Sequence, residues 1–135
     1  MAHAISEQME QCIEACLNCY RTCLREGMNH CLEAGGKHVE PVHFRLMMNC
    51  AEMCRTSADF MLSSSNLHAR ICAACAEVCD ACARSCEDIG EMDECVQACR
   101  ACAESCRSMA GGSSNASFQG SMRGQDSDAP VKSPM

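Results

Sequence analysis

Sixteen cysteines recur along this chain at alternating steps of four and three residues. They form the rows Cys12, Cys16, Cys19, Cys23; Cys50, Cys54; Cys72, Cys75, Cys79, Cys82, Cys86; and Cys95, Cys99, Cys102, Cys106, with Cys31 off the rows. Thiolates select Cu(I), Zn(II) or iron-sulfur clusters among common ions, so metal binding competes with disulfide cross-linking as the chemistry on offer. Residues one helical turn apart have Cβ atoms about 5 to 6 Å apart, close enough for two thiolates at i and i+4 to lean onto one ion. The pairs 12/16, 19/23, 50/54, 75/79, 82/86, 95/99 and 102/106 have that spacing. Intervening i, i+3 pairs join them into ladders in which one sulfur could bridge neighbouring metals.

Charge favours Cu(I) among the soft ions. A monovalent ion matched one-to-one with thiolates leaves no net charge in a buried core, whereas a divalent ion on four thiolates leaves two negative charges. Zinc also wants four tetrahedral ligands, which a straight ladder supplies poorly. The ferredoxin run C-x2-C-x2-C-x3-C-P is not matched, because the spacing here alternates and no proline follows. A thioredoxin-type motif lacks its alternating-strand context. A disulfide-stapled structural or redox protein is the stronger rival, since the cysteine count is even, but same-helix neighbours fit disulfide geometry badly.

The elements that must position these thiols are helices, because steps of four and three keep side chains on one stripe of an α-helix. Cysteine stands where a bundle helix normally carries leucine. The pattern marks out four segments. The first spans residues 5–32, with Met9, the cysteines and then His30 or Cys31 on one face, and is stopped by Gly35 and Gly36. A second opens at Pro41 and carries His43, Met47, Cys50, Cys54, Ser57 and Met61 before a break at 63–66. The third, with Asn66 as its expected cap, carries His68, five cysteines and Ile89 and ends at Gly90; the fourth, residues 92–110, carries Met92, four cysteines and Met109. Short connections between helices of similar length predict an all-α, antiparallel four-helix bundle with a cysteine-lined core. Abundant alanine beside the cysteines keeps side-chain bulk small and the backbones close.

In that arrangement Met9, Met61, His68 and Met109 gather at one end, and His30, His43, Met47 and Met92 at the other. Soft or borderline ligands at both mouths could pass ions inward. A methionine stripe is also ordinary core filler, and a single histidine an ordinary surface or capping residue. Burial raises a thiol's pKa above about 8.5, so an empty core is expected to hold neutral thiols and to fold before metal arrives. Each ion entering would then displace a proton.

Composition narrows the rest. Eleven methionines, no tryptophan and 3% aromatic residues leave an ordinary hydrophobic core under-supplied. A formal charge of -7 without clustered Lys and Arg argues against nucleic acid as a partner. No apolar run approaches the roughly 18 to 20 residues needed to cross a bilayer, and the first ten residues lack an export signal, so a cytosolic location is expected. There thiols stay reduced and a regular cysteine array binds metal. Residues 1–110 read as one domain and 111–135, rich in Gly, Ser, Asp and Pro, as a disordered tail. The glycosylation pattern at Asn115 reads as chance.

With four amphipathic segments between Met9 and Met109, and ladders such as CAACAEVCDACARSC and CVQACRACAESC, the chain resembles the bacterial copper storage proteins, in their cytosolic branch. The resemblance implies a non-enzymatic store holding many Cu(I) ions on cysteine thiolates, and a homotetrameric assembly. Two departures stand out. The second segment has only two cysteines, with Ser57 and Met61 continuing its stripe, and the tail has no counterpart role. A copper chaperone, holding one or two ions at an exposed site, fits a buried ladder less well than a store does.

Overall fold

A computed structural model describes residues 5–111. Its long helices are α1 (Glu7–Arg25), α2 (Pro41–Leu62), α3 (His68–Ile89) and α4 (Asp93–Ala110). Each packs on its neighbours in the chain and α4 closes the ring against α1. The Gln8 amide donates to Ser108 Oγ at 2.9 Å, tying the start of α1 to the end of α4 as an antiparallel bundle requires. No helix among the described residues is long and apolar enough to cross a membrane. Of the expected tail 111–135, Gly111 is described, and residues 112–135, including Asn115, lie outside the described residues.

Local signals explain most boundaries. Ser6 caps α1, its hydroxyl accepting from Met9 N–H at 3.1 Å, and Glu7 and Glu10 place negative charge on the positive end of the helix dipole. Pro41 occupies the first turn of α2, where its missing N–H costs nothing, while Glu40 accepts from His43 N–H at 3.0 Å. Gly35 and Gly90 sit at φ 67° and 86°, a region that admits glycine without strain, and each ends a helical run. Asn66 is not the cap of α3. The helix starts one residue later than that expectation requires, with Leu67 at its N-cap, because Ser65 organises the turn: its Oγ accepts from Leu67 N–H at 3.0 Å and its carbonyl from His68 N–H at 3.3 Å.

The first segment departs most from the periodic reading. Instead of one helix over 5–32, α1 passes at Glu26–Cys31 into a π-helical stretch, succeeded by one α turn at Leu32–Ala34 and a 3-10 turn at Gly36–Val39. A π turn adds a residue and rotates the chain beyond it relative to a continuous α-helix. The rotation settles the ambiguity between His30 and Cys31: Cys31 is buried with no exposure, and His30 is half-buried. Close approach makes this possible. A Cβ on Gly27 would stand 2.6 Å from the terminal methyl of Met48 on α2, so a side chain there would oblige the flexible end of Met48 to move aside.

Outside, α3 and α4 are stitched by Arg100 to Glu87 at 2.9 Å and Arg107 to Asp80 at 2.6 Å. Exposed pairs of this kind are worth about 0 to 1 kcal/mol each, so the fold rests on the interior.

Candidate metal centre

The interior is sulfur. All sixteen cysteines have 0% exposure, and all are free thiols. Alanines Ala51, Ala58, Ala76, Ala83, Ala98 and Ala103 flank the stripes, buried between the helices, and their small bulk lets four backbones converge on the thiols. Neighbouring Sγ atoms stand 3.5 to 4.0 Å apart, as in Cys54–Cys79 at 3.5 Å and Cys50–Cys54 at 4.0 Å. A disulfide requires about 2.0 Å, so these are contacts of reduced sulfurs.

Convergence of the four stripes assembles what no single ladder holds. Thiol groups with all their Sγ atoms within 4.8 Å of one another include Cys12, Cys72, Cys106; Cys16, Cys75, Cys102, Cys106; Cys54, Cys75, Cys79, Cys102; Cys19, Cys50, Cys54, Cys79; and Cys19, Cys23, Cys50, Cys99. In that order each group shares at least one cysteine with the next. These thiols form one continuous file in which single sulfurs belong to two adjacent groups. Same-helix steps contribute, with Cys19–Cys23 and Cys75–Cys79 both at 3.9 Å, but every four-thiol group draws on at least two helices.

Four thiols can therefore surround one ion here, contrary to the expectation from a straight ladder, because facing helices complete what one helix lacks. Ligand number does not exclude zinc. Charge and sharing still do the discriminating. Filling overlapping four-thiolate groups with divalent ions would require shared sulfurs and leave excess negative charge in a buried core, whereas Cu(I) accepts two or three thiolates and tolerates bridging.

Hydrogen bonding within the file shifts the thiols in opposite directions. Cys16, which receives hydrogen bonds from Cys102, Cys106 and Cys12, is pulled down to about 6. Cys19 is lowered for the same reason, chiefly by Cys102 and Cys23. Cys72 goes the other way: the bond with Cys106 lowers it, but the bond with Cys12 and burial outweigh that and push it up to about 11. Burial, then the charge of Glu26, raises Cys31.

The two ends differ. At the end formed by the close of α2 and the start of α3, Met61 is fully buried, Met9 and Met109 are partly buried against the core, and His68 Nδ1 donates to the Ser65 carbonyl at 2.9 Å. Ser57 fills a ladder position there, its Oγ 3.5 Å from Cys72 Sγ. At the other end the softer ligands touch the thiols. Met47 Sδ lies 3.5 Å from Cys86 and 3.8 Å from Cys82, Met92 Sδ lies 3.9 Å from Cys31, and His43 Nε2 stands 4.0 Å from Cys31. His43 Nδ1 bonds Ser85 Oγ at 2.8 Å; when Nδ1 donates there, the Nε2 lone pair is left facing the thiol. Burial, then the neighbouring His38, lowers the His43 pKa and keeps the ring in its neutral, ligating form. Ser85 and His38 were not legible as site residues, since neither falls on a cysteine stripe.

The described fold has known counterparts. The family model "Csp: Copper storage protein" matches residues 5–111, and the chain belongs to that family. Among solved structures it is similar to the Nmul_A1745 protein of Nitrosospira multiformis, at 64% identity and a TM-score of 0.77, covering 78% of this chain and 96% of that one. It is also similar to the Cu(I)-bound copper storage protein BsCsp3, at 37% identity and TM-score 0.72 over 77% of this chain and 99% of the other. A curated relative, the uncharacterized cysteine-rich protein YhjQ of Bacillus subtilis, is 37% identical over 73 residues, which is 54% of this chain and 67% of that protein.

Proposed function

We propose that this chain stores Cu(I) by filling its bundle core, with all sixteen cysteines as ligands. The observation that carries the reading is the overlap of the thiol groups named above, which together hold twelve of the sixteen cysteines, since shared sulfurs suit a file of monovalent ions rather than separate sites. Cu(I) binding by BsCsp3, whose fold this chain shares, supports the same metal. Cys31, His43, Met47 and Met92 form the inward passage at one mouth, where thioether and imidazole ligands already touch thiols. Met9, Met61, Met109 and His68 form a second cluster at the opposite end.

The protein works without catalysis: its buried chemistry is ligand exchange, and the role is sequestration in the cytosol, where thiols remain reduced. The homotetramer implied by the family resemblance completes the proposal. An anaerobic titration of the reduced full chain with Cu(I), against a competing chromogenic chelator, tests the storage reading. Roughly ten or more tightly bound equivalents per chain are expected from so many soft ligands. Saturation at one to four would replace the store with a chaperone or a zinc or iron-sulfur site.

A further inference from the structure

Beside the thiol passage, two imidazole nitrogens are buried without a hydrogen-bond partner among the described residues: Nε2 of His30 and Nδ1 of His38. Their rings meet edge to face, with centroids 5.0 Å apart and planes at 84°. His38 is only 5% exposed although it lies in the short 3-10 turn Gly36–Val39, where a polar side chain could readily reach water. A buried polar atom with nothing to bond destabilises a fold, and two in touching rings call for a common ligand.

The remaining nitrogen of His38 is accounted for. Its Nε2 stands 3.6 Å from Glu91 Oε1. That is an ion-pair separation and longer than a hydrogen bond; a carboxylate on this side favours the proton on Nε2 and leaves Nδ1 as the lone-pair donor, the arrangement that orients histidines toward metals. We propose that His30 Nε2 and His38 Nδ1 bind one borderline divalent cation of the Zn(II) class at this end of the bundle, outside the thiol file, with Glu91 positioning His38. Water completes the coordination, as in open zinc sites. Softness separates this site from the core: Cu(I) goes to the nearby thiols, while neutral imidazoles suit a borderline ion. The chain's net charge of -7 favours cation capture.

Three connecting segments meet in the site: the π stretch with His30, the 3-10 turn with His38 and the α3–α4 turn with Glu91. A bound ion ties all three together beside Cys31 and Met92.

The test uses nitrogen-15-labelled full chain loaded with Cu(I) and titrated anaerobically with Zn(II), observing the histidine ring nitrogens by NMR. His30 Nε2 and His38 Nδ1 are expected to respond together, saturating near one Zn(II) per chain with the Cu(I) content unchanged. His38→Ala should abolish the His30 response. Glu91→Gln, at an exposed position that cannot disturb the core, should weaken Zn(II) binding about tenfold. Silence of both rings, response of one alone, or zinc uptake only as copper leaves would overturn the site. Free thiols persisting after the loading step would count against the storage reading, and the ring response would still be read on its own.

Discussion

Ser57 Oγ lies 3.5 Å from Cys72 Sγ and stands at a ladder position of α2 where the cysteine spacing continues without a cysteine. It also reaches Cys106 Sγ at 4.0 Å, so it borders the three-thiol group of Cys12, Cys72 and Cys106. Ser57→Cys therefore completes a four-thiol group. Capacity should rise by about one Cu(I) per chain in a competition titration, whereas Ser57→Ala should leave it unchanged. Equal capacities in the serine and cysteine forms would remove this end from the store.

Met47 joins the thioether end to the thiols through Cys86 and Cys82. Replacing it by leucine nearly conserves volume, at a cost below about 1.5 kcal/mol. Stopped-flow loading with Cu(I) should slow several-fold while final capacity falls by no more than about one ion. Unchanged kinetics would place entry at the Met61 end instead.

Removing single ligands tests how the file shares its sulfurs. Cys54 belongs to two overlapping groups. Cys54→Ala should lose about one to two Cu(I) and about 1 to 2 kcal/mol of apo stability, because it deletes one small buried group from a close-packed core. Loss of all binding from this one change would indicate a single defined cluster in place of a file.

Apo stability should fall in alkali. Cys72 holds its proton up to about 11 in the fold, above its ordinary value of 9.0, so between those values this thiol binds more proton in the folded chain than in the unfolded one. The contribution of Cys72 to stability is then full below about pH 9 and declines as pH rises toward 11. Thermal melts of the reduced apo protein should show that decline. In the Cu(I)-loaded protein, where the thiol protons are already gone, the same melts should be flat across this window.

Much of the fold was legible because cysteine spacing is itself a helical coordinate. The period of four and three placed the rows of α1 to α4 on inward stripes, and the short connections fixed their antiparallel order. Periodicity failed where the backbone left the α-helix. Nothing in the Glu26–Cys31 sequence announces a π turn except Gly27, whose meaning depends on Met48 approaching from α2. Hence Cys31 looked off-register although it is fully buried beside His43 and Met92. Asn66 has the right chemistry for a cap, but Ser65 took the turn through its own hydroxyl and carbonyl. The four-thiol groups were hidden for a different reason: they belong to facing helices, and a stripe read one helix at a time contains only pairs. His38 carries no sequence signal at all, since its burial comes from the way the 3-10 turn folds back toward His30.

The central claim, that Cu(I) fills one continuous run of shared thiolates, is tested most directly by anomalous diffraction at the copper edge from crystals of the loaded protein. The account predicts a row of copper peaks along the bundle axis from the Cys12, Cys72, Cys106 group to the Cys19, Cys23, Cys50, Cys99 group, with neighbouring peaks sharing sulfurs. One or two isolated peaks, each enclosed by four cysteines that no other ion touches, would contradict it.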